Sequence, residues 1–251
     1  RTRISISYNP LSSGRVKLGL GLGIIGILLY SFISISLKSD DPIYNFTRMD
    51  KNRTEATKIA REYLTDRGFN LDGYQSVTYS ENWLPSGGLL DRKNKYVAYI
   101  MENGGKDKLR HFLSEDYIGS MGWSVRFFIP ETKKEYKVFM LAKEDETKYP
   151  HFRETLSDTA YLPYITQVEA LHLVREFAEN SDIDFSNMEL MKEEVIEREN
   201  RTDYHFKFKG SENHKATIGE AKQFFDFEVH GDHIGNINGG IKLPLPYFVN
   251  G

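Results

Sequence analysis

The strongest hydrophobic pattern in the chain is an uncharged stretch near its N terminus. Leu18 to Leu37 are 20 residues without Asp, Glu, Lys or Arg. At about 1.5 Å per residue, a helix of this length spans about 30 Å, the thickness of a bilayer's hydrocarbon core. A cleaved signal peptide is the alternative, but its apolar region is shorter and ends in a small-residue cleavage site, for which Ser34-Ile35-Ser36 is a weak match. We predict a retained transmembrane helix over residues 18–37.

The charges that flank this segment predict its orientation. Residues 1–17 carry four basic residues and no acidic one, whereas Lys38, Asp40 and Asp41 follow the segment. By the positive-inside rule, residues 1–17 are a cytoplasmic basic tail and the chain after residue 37 is extracytoplasmic. The expected location is a bacterial cell membrane, and the lipid bilayer is the expected partner of Leu18 to Leu37.

After a polar linker at residues 38–50, the pattern changes to that of an amphipathic helix over about Thr54 to Arg67. Thr54 is the expected N-cap, and Gly68 is expected to end the helix. The apolar stripe that predicts burial on one side consists of Ala56, Ile59, Ala60, Tyr63 and Leu64.

The same helical pattern returns 114 positions later. The stretch EATKIAREYLTDRGFNLDGY from Glu55 aligns without a gap with EALHLVREFAENSDIDFSNM from Glu169. Two unrelated amphipathic helices would share the apolar stripe, but not the Glu-Ala and Arg-Glu pairs at matching positions. We therefore favour an internal repeat.

Each predicted helix is followed by runs with the period of two that is typical of β-strands. The predicted strands are Tyr96 to Met101, Trp123 to Ile129, Tyr136 to Leu141, Glu189 to Ile196, Tyr204 to Phe208, Phe224 to Val229 and Ile234 to Ile237. Gly231-Asp232 predicts a hairpin turn, and Asn82 to Asp116 an insertion that is partly looped. The fold class is therefore α+β, with two tandem helix-on-antiparallel-sheet units at residues 51–148 and 149–251.

The amino-acid composition and charge of the chain exclude several kinds of functional site. The 251 residues have a mean hydropathy of −0.51 and no cysteine, which excludes disulfides, thiolate metal sites and a cysteine nucleophile. The formal charge is −3, and the four basic residues of 1–17 leave −7 for the remainder. An acidic globular portion argues against nucleic-acid binding. Because the chain begins with Arg1 rather than Met, we interpret it as a fragment.

Two histidines are the strongest candidates for chemistry. His230 and His233 could offer two imidazoles to a metal, but they flank the predicted turn, where we expect both to be exposed, and no third ligand is near in sequence. Zinc sites use three or four protein ligands. We therefore predict no metal at this pair.

The remaining motifs favour structural roles. Glu193 to Arg198 match the E-E-x-x-x-R pattern of an intramembrane protease family, but they lie in a charged segment and are expected to be solvated. The aromatics of Trp123 to Phe128 are expected in the core, and Gly104-Gly105 and Gly239-Gly240 in turns. No H-E-x-x-H, G-x-S-x-G or phosphate-binding glycine loop is present. We predict no catalytic, cofactor-binding or metal-binding residue.

The chain resembles the N-terminal extracytoplasmic region of bacterial CPBP-family intramembrane proteases, also called CAAX prenyl protease-like proteins. The matching stretches, which lie within residues 40–248, are MDKNRTEATKIAREYL, GWSVRFFIPETKKEYKVFM, NRTDYHFKF and GDHIGNINGGIKLP. The repeat units are similar to PepSY modules, which are small helix-on-sheet domains, also of cystatin-like type, that occur beside peptidases and sometimes inhibit them.

This resemblance implies a sensor or regulatory role rather than catalysis. The family's catalytic residues lie on later transmembrane helices, and none matches a position of this chain. The expected function is a membrane-anchored, non-catalytic region that binds a protein or peptide and modulates an attached membrane protease domain. The alternative is a stand-alone, single-pass binding or assembly module of the cell envelope.

Overall fold

The computed structural model describes residues 13–40, 49–82, 94–115, 117–118, 121–141, 151–181 and 183–244. The chain divides into two compact parts, Arg1–Asp41 and Pro42–Gly251. We call the second part the sheet domain.

The first part contains one long helix, α1 (Ser13–Asp40), which includes the whole predicted apolar segment. None of the side chains of Val16–Ile33 is buried within the protein, and this stretch is apolar and long enough to cross a membrane. Exposed leucines and isoleucines on all sides of a helix are unfavourable in water and are typical of helices that cross a membrane. Residues 1–12 of the predicted tail and 41–48 of the predicted linker lie outside the described residues.

The described helices and strands of the sheet domain do not follow the predicted order of one helix and then only strands, repeated twice. In chain order they are α2 (Arg53–Asp66), β1 (Gln75–Asn82), α3 (Lys95–Ser114), β2 (Met121–Phe128), β3 (Glu135–Leu141), β4 (His151–Thr155), α4 (Gln167–Asn180), β5 (Met188–Glu197), β6 (Thr202–Gly210), β7 (Lys222–His230) and β8 (His233–Lys242).

All eight strands belong to one antiparallel sheet, in the order β1-β2-β3-β4-β8-β7-β6-β5. The α+β class is thus confirmed, but the strands of residues 51–148 and 149–251 form one continuous sheet. β4 lies beyond the predicted boundary, yet it pairs with β3 on one side and with β8 on the other. The duplication itself stays a prediction.

The two predicted helices are confirmed, and both begin with a capping box. The side chain of Asn52 accepts hydrogen bonds from the backbone N–H groups of Thr54 and Glu55, and Glu55 accepts one from the backbone of Asn52. Thr166 and Glu169 repeat this arrangement at the start of α4. The prediction of Thr54 as N-cap was wrong, because the amide side chain of Asn52 reaches two free N–H groups of the first turn.

One hydrophobic core joins both halves of the sheet to both helices. α2 packs on β1, β2 and β3, whereas α4 packs on β6, β7 and β8. The helices contribute small residues at their closest approach, such as Ala56 and Ala170, and the strands contribute large rings. The fully buried phenylalanine rings of this core are Phe127, Phe152, Phe206 and Phe227.

The predicted strand Tyr96 to Met101 is wrong, because this stretch forms the first turns of α3. The predicted insertion is therefore partly helical, and Gly104-Gly105, predicted in a turn, lie within α3, where Gly105 at φ +68° interrupts the helix. α3 forms a second core with the loop before β7 and the end of β8, through residues that include Leu109, Phe112, Ile218 and Ile241.

The other differences concern short or unusual strands. β1 is polar and lies at the edge of the sheet, and β4 has five residues, so neither was predicted. Gly239 and Gly240 lie within β8 instead of in a turn. A Cβ atom at Gly239 would lie 2.5 Å from the ring of Phe225, so this position needs glycine because a ring occupies the space of a side chain.

Phe152 gives a test of the shared core. It lies in β4, and its ring centroid is 5.2 Å from that of Phe69 and 6.2 Å from that of Tyr136. We expect Phe152→Ala to lower the free energy of unfolding by about 3–5 kcal/mol, since it leaves a cavity at the middle of the sheet. Urea unfolding of the full chain in detergent micelles, followed by near-ultraviolet circular dichroism, measures the change.

Val168→Ala is the control, because Val168 is on the exposed side of α4 and is 78% exposed. It should change the free energy of unfolding by less than about 0.5 kcal/mol. The domain should unfold in a single transition in both variants. Two transitions, of which only one shifts in Phe152→Ala, would contradict a core shared by both halves.

Candidate functional site

A buried carboxylate meets two histidines where β4 ends beside the β7–β8 hairpin. Glu154 follows Phe152 by two residues on β4, so its side chain points into the same side of the sheet as the core. His230 is the last residue of β7 and His233 the first of β8, and the two residues pair across the turn. We call these three residues the Glu–His cluster.

One oxygen of Glu154 accepts hydrogen bonds from both imidazoles. Its Oε2 atom lies 3.0 Å from Nδ1 of His230 and 2.8 Å from Nε2 of His233. The outer ring nitrogens also face carboxylates, with Nε2 of His230 at 3.6 Å from Glu228 and Nδ1 of His233 at 3.3 Å from Asp232. Each imidazole thus lies between two carboxylates, which is the arrangement that favours its doubly protonated form.

The pKa values follow from this geometry. Burial opposes ionisation of Glu154, but the hydrogen bonds from His230 and His233 outweigh it and lower the pKa of the carboxyl group to about 2. Burial likewise opposes a charge on His230, yet the bonds to Glu154 and Glu228 raise its pKa to about 9. The pKa of His233 is also raised, against its burial, by Glu154 and Asp232. At neutral pH the cluster therefore contains the Glu154 carboxylate and an imidazolium ion at His230, and His233 keeps its second proton to a higher pH than an ordinary imidazole does.

Two glycines make room for this cluster. A Cβ atom at Gly235 would lie 2.1 Å from Nδ1 of His230, so the ring of His230 occupies the space above that glycine. At the turn, Gly231 has φ +55°, and a Cβ there would lie 2.5 Å from Cβ of Leu162. The predicted Gly231-Asp232 turn is confirmed, and its close packing explains why His230 is buried.

Tyr136 forms the neighbouring wall. It pairs with Glu154 across β3 and β4. Burial, together with the negative charge of Glu154, raises the pKa of the Tyr136 phenol well above its usual value. The ring of Phe69 packs against Tyr136 at 5.0 Å and against the imidazole of His233 at 5.5 Å. These rings keep water away from one side of the ionic cluster, which strengthens its hydrogen bonds.

A pocket of ≈ 260 Å³ opens beside His233, between the C-terminal ends of α2 and α4. Its apolar lining residues are Phe69, Phe152, Leu173, Phe177, Ile234 and Ile237. Arg67, Glu176, Asn180 and Asp232 contribute polar groups at its rim, together with His233. We call this cavity the interhelical pocket. Apolar walls with a few polar groups are typical of sites for small ligands or for single side chains of a peptide.

Arg67 is held in place at this pocket by aromatic rings. Its guanidinium carbon lies 3.6 Å from the ring centroid of Tyr63 and 5.4 Å from that of Phe177. Arg67 therefore offers positive charge to the pocket and His233 a hydrogen-bonding imidazole, whereas Glu176 and Asp232 offer negative charge. A ligand with both an anionic and a cationic group, such as a peptide terminus beside a side chain, matches this lining.

The prediction that His230 and His233 are both exposed was wrong. His230 is 8% exposed, and His233 is partly buried. Their partner Glu154 precedes His230 by 76 residues and was not identified, although its position two residues after Phe152 places it on an inward face. Within the described part of the chain, no group of three or more His, Asp or Glu residues is arranged to hold a metal ion.

The other motifs have structural contacts. Glu193 and Glu194 are exposed on β5, as expected for a solvated segment, and Glu194 pairs with Lys192 at 2.5 Å. Arg198 lies 3.0 Å from both Asp158 and Asp203 and so joins the segment before α4 to the start of β6.

The aromatic stretch Trp123 to Phe128 and the sequons at Asn52 and Asn200 also have structural contacts. Phe127 is buried, which confirms the prediction that the Trp123 to Phe128 stretch contributes to the core. The sequence also contains three N-x-T sequons, at Asn45, Asn52 and Asn200, which we regard as chance matches. Asn52 caps α2, Asn200 donates to the carbonyl oxygen of Thr159, and Asn45 lies outside the described residues.

Comparisons with known proteins do not place the chain in a family. No protein-family model matches it, and neither the curated proteins nor the solved structures contain a match.

The Glu–His cluster predicts a pH-dependent stability. The lowered pKa of Glu154 contributes stability above the ordinary pKa of 4.5, which is lost as the pH falls toward 2. The raised pKa of His230 contributes stability below 6.5, which is lost as the pH rises through 9. We therefore expect the free energy of unfolding to be highest between pH 4.5 and pH 6.5, where both contributions are fully present. Glu154→Gln should lower it by roughly 3 kcal/mol at pH 6 and flatten its decline above that pH.

Glu194→Gln is the matched control, because Glu194 lies 3.6 Å from His205 but its side chain is 44% exposed, compared with 3% for Glu154. Urea unfolding of the full chain in detergent micelles at a series of pH values measures both variants. Equal pH profiles for Glu154→Gln and the unsubstituted protein would show that the cluster does not stabilise the domain.

Proposed function

We propose that this chain is a membrane-anchored, extracytoplasmic domain that binds a protein or peptide ligand and regulates a membrane protease. The observation that carries it is α1, whose apolar residues are exposed along a length sufficient to cross a bilayer. The basic residues before the helix favour a cytoplasmic N terminus and an extracytoplasmic sheet domain. The resemblance to CPBP-family proteases motivates the choice of a protease as the regulated partner.

The binding role is supported by the interhelical pocket. Its lining combines apolar side chains with charged groups that are already held in place, Arg67 by Tyr63 and His233 by Glu154. Preorganised groups lose little conformational freedom on binding, so they favour recognition. We assign the described residues a binding role and no catalytic one.

We further propose that the sheet domain is a pair of duplicated PepSY-like units joined edge to edge. Two observations support duplication: Asn52 and Thr166, the two capping residues, are 114 positions apart, as are Ala56 and Ala170 in the core. In addition, each of α2 and α4 covers its own half of the sheet.

The absence of cysteine from the sequence allows a direct test of topology. We expect Tyr161→Cys to react with a membrane-impermeant maleimide in intact bacterial cells, because Tyr161 is 81% exposed and lies in the sheet domain. Ser5→Cys, in the basic tail, should react only after the membrane is permeabilised. Labelling of Ser5→Cys but not of Tyr161→Cys in intact cells would show the opposite orientation. Recovery of the chain in the aqueous fraction after cell lysis would show that α1 does not anchor it in the membrane.

The pocket is tested with free dipeptides that end in Leu, Phe or Tyr. A dipeptide present at about 100 times its Kd should raise the free energy of unfolding of the full chain by about 2.7 kcal/mol, since it binds only the folded state. Leu173→Trp fills the pocket and should abolish this increase. Val168→Trp, on the exposed side of α4, should retain it, and equal responses of the two variants would place the ligand elsewhere.

A further inference from the structure

The face of the sheet opposite α2 and α4 carries a groove of ≈ 480 Å³ at the ends of β6, β7 and β8. Four of its lining residues are basic, namely Lys207, Lys209, Lys222 and Lys242, and Glu220 is acidic. We call it the lysine groove. This concentration of positive charge stands out, because the chain after residue 17 has a formal charge of −7.

An aromatic ring lies among these lysines. Phe225 and Phe227 point into the core, so Phe224, which precedes them by one and three residues, points to the opposite face. Its cross-strand neighbour on β8 is Gly240, where a Cβ atom would lie 3.7 Å from Cε1 of Phe224. Because that neighbour has no side chain, the Phe224 ring is left partly open, and the ammonium nitrogen of Lys207 lies 5.7 Å from its centroid.

The positive charge of the groove is only partly neutralised. Lys207 forms an ion pair of 2.9 Å with Asp226, and Lys222 pairs with Glu212. Among the described residues, Lys209 and Lys242 form no ion pair, although the exposed Glu189 lies opposite Lys209 across β5 and β6. Lys242 also lies directly opposite Lys222 across β7 and β8, and like charges at paired positions destabilise a sheet. A bound carboxylate would relieve this repulsion.

We propose that the lysine groove binds an extended acidic segment of a partner protein. Lys207 and Lys209 are two residues apart on β6, which separates their side chains by about 6.8 Å along the strand. Alternate side chains of an extended peptide have the same separation, so two acidic residues at i and i+2 match these lysines. The open ring of Phe224 offers an apolar contact to a side chain of the segment.

The shape of the groove favours a peptide over the surface of an anionic membrane. Lysine clusters alone attract lipid headgroups, whereas these lysines surround a concave site whose floor includes the ring of Phe224, and such a floor also suits an apolar side chain of a peptide. The adjoining edge strand contributes Met191, which lies at the bulge of β5 and is 56% exposed. Methionine adapts to varied side chains and is frequent at peptide-binding surfaces. The lysine groove is distinct from the interhelical pocket and does not depend on the topology of α1.

The experiment uses the full chain in nanodiscs of neutral phosphatidylcholine and a fluorescein-labelled peptide, EVEFEVE, with QVQFQVQ as the uncharged control peptide. We expect fluorescence anisotropy to show binding of EVEFEVE that weakens as salt is added, and much weaker binding of QVQFQVQ. Lys209→Glu combined with Lys242→Glu should raise the Kd about tenfold or more at low salt.

Lys58→Glu combined with Lys133→Glu is the matched control, because it makes the same change in net charge at exposed positions away from the groove. It should change the Kd by less than about threefold, since distant surface charges are screened. Lys209→Gln combined with Lys242→Gln provides a milder variant should the charge reversal unfold the domain. Circular dichroism verifies that each variant is folded.

Three results would overturn the proposal. The first is an equal loss of affinity in the groove and control variants, which would indicate a non-specific charge effect. The second is binding of phosphatidylglycerol vesicles, but not of EVEFEVE, through Lys209 and Lys242, which would make the groove a lipid site. The third is self-association of the chain that Lys209→Gln and Lys242→Gln abolish while EVEFEVE does not bind, which would make a second copy the occupant.

Discussion

The sheet domain depends on the junction between β4 and β8. Only two residue pairs, Phe152 with Ile237 and Arg153 with Asn236, form the described register between these strands, whereas the pairing between β7 and β8 extends along both strands. Backbone hydrogen bonds therefore hold the two halves together weakly at this junction. Side chains provide the rest, because Phe152 and Ile237 belong to the common core and Glu154 binds both histidines of the β7–β8 hairpin. Hydrophobic burial supplies the larger share of this stabilisation, and the ion pairs fix the geometry.

The same junction explains why the candidate site lies where it does. α2 covers one half of the sheet and α4 the other, so a gap remains between the helices above β4 and β8. Phe69 and Phe177 enter this gap from the ends of the helices, and the interhelical pocket is the space that they leave open. His233 is the residue of the Glu–His cluster that also lines the interhelical pocket. A ligand in the pocket would therefore contact both helices and the junction itself, which has fewer paired residues than any other pair of described neighbouring strands.

Local patterns predicted the parts of this fold that depend on neighbouring residues. The stripe that includes Ala56 and Leu64 predicted α2, its counterpart around Val174 predicted α4, and Gly231-Asp232 predicted the β7–β8 turn. The failures concern contacts between distant residues. Nothing near His230 in the sequence indicates that Glu154 will face it, because the pairing of β4 with β8 brings them together. Burial of His230 likewise depends on the small residue Gly235, whose role is visible only once β8 is folded back on β7.

Tertiary contacts also determine whether the segment Tyr96 to Met101 forms a strand or a helix. The apolar run Tyr96 to Met101 fits a strand or a buried helix equally well by pattern, since short apolar runs do not distinguish the two. The helix is selected by the Asn94 side chain, which caps its first turn, and by the surface that Ile218 and Ile241 offer to α3. α3 thereby connects the segment between β1 and β2 to the far end of β8, where the lysine groove begins. α3 lies between β1 and β2 in the chain but packs against the loop before β7 and the end of β8, so it links the two halves of the sheet at a second place besides the β4–β8 junction.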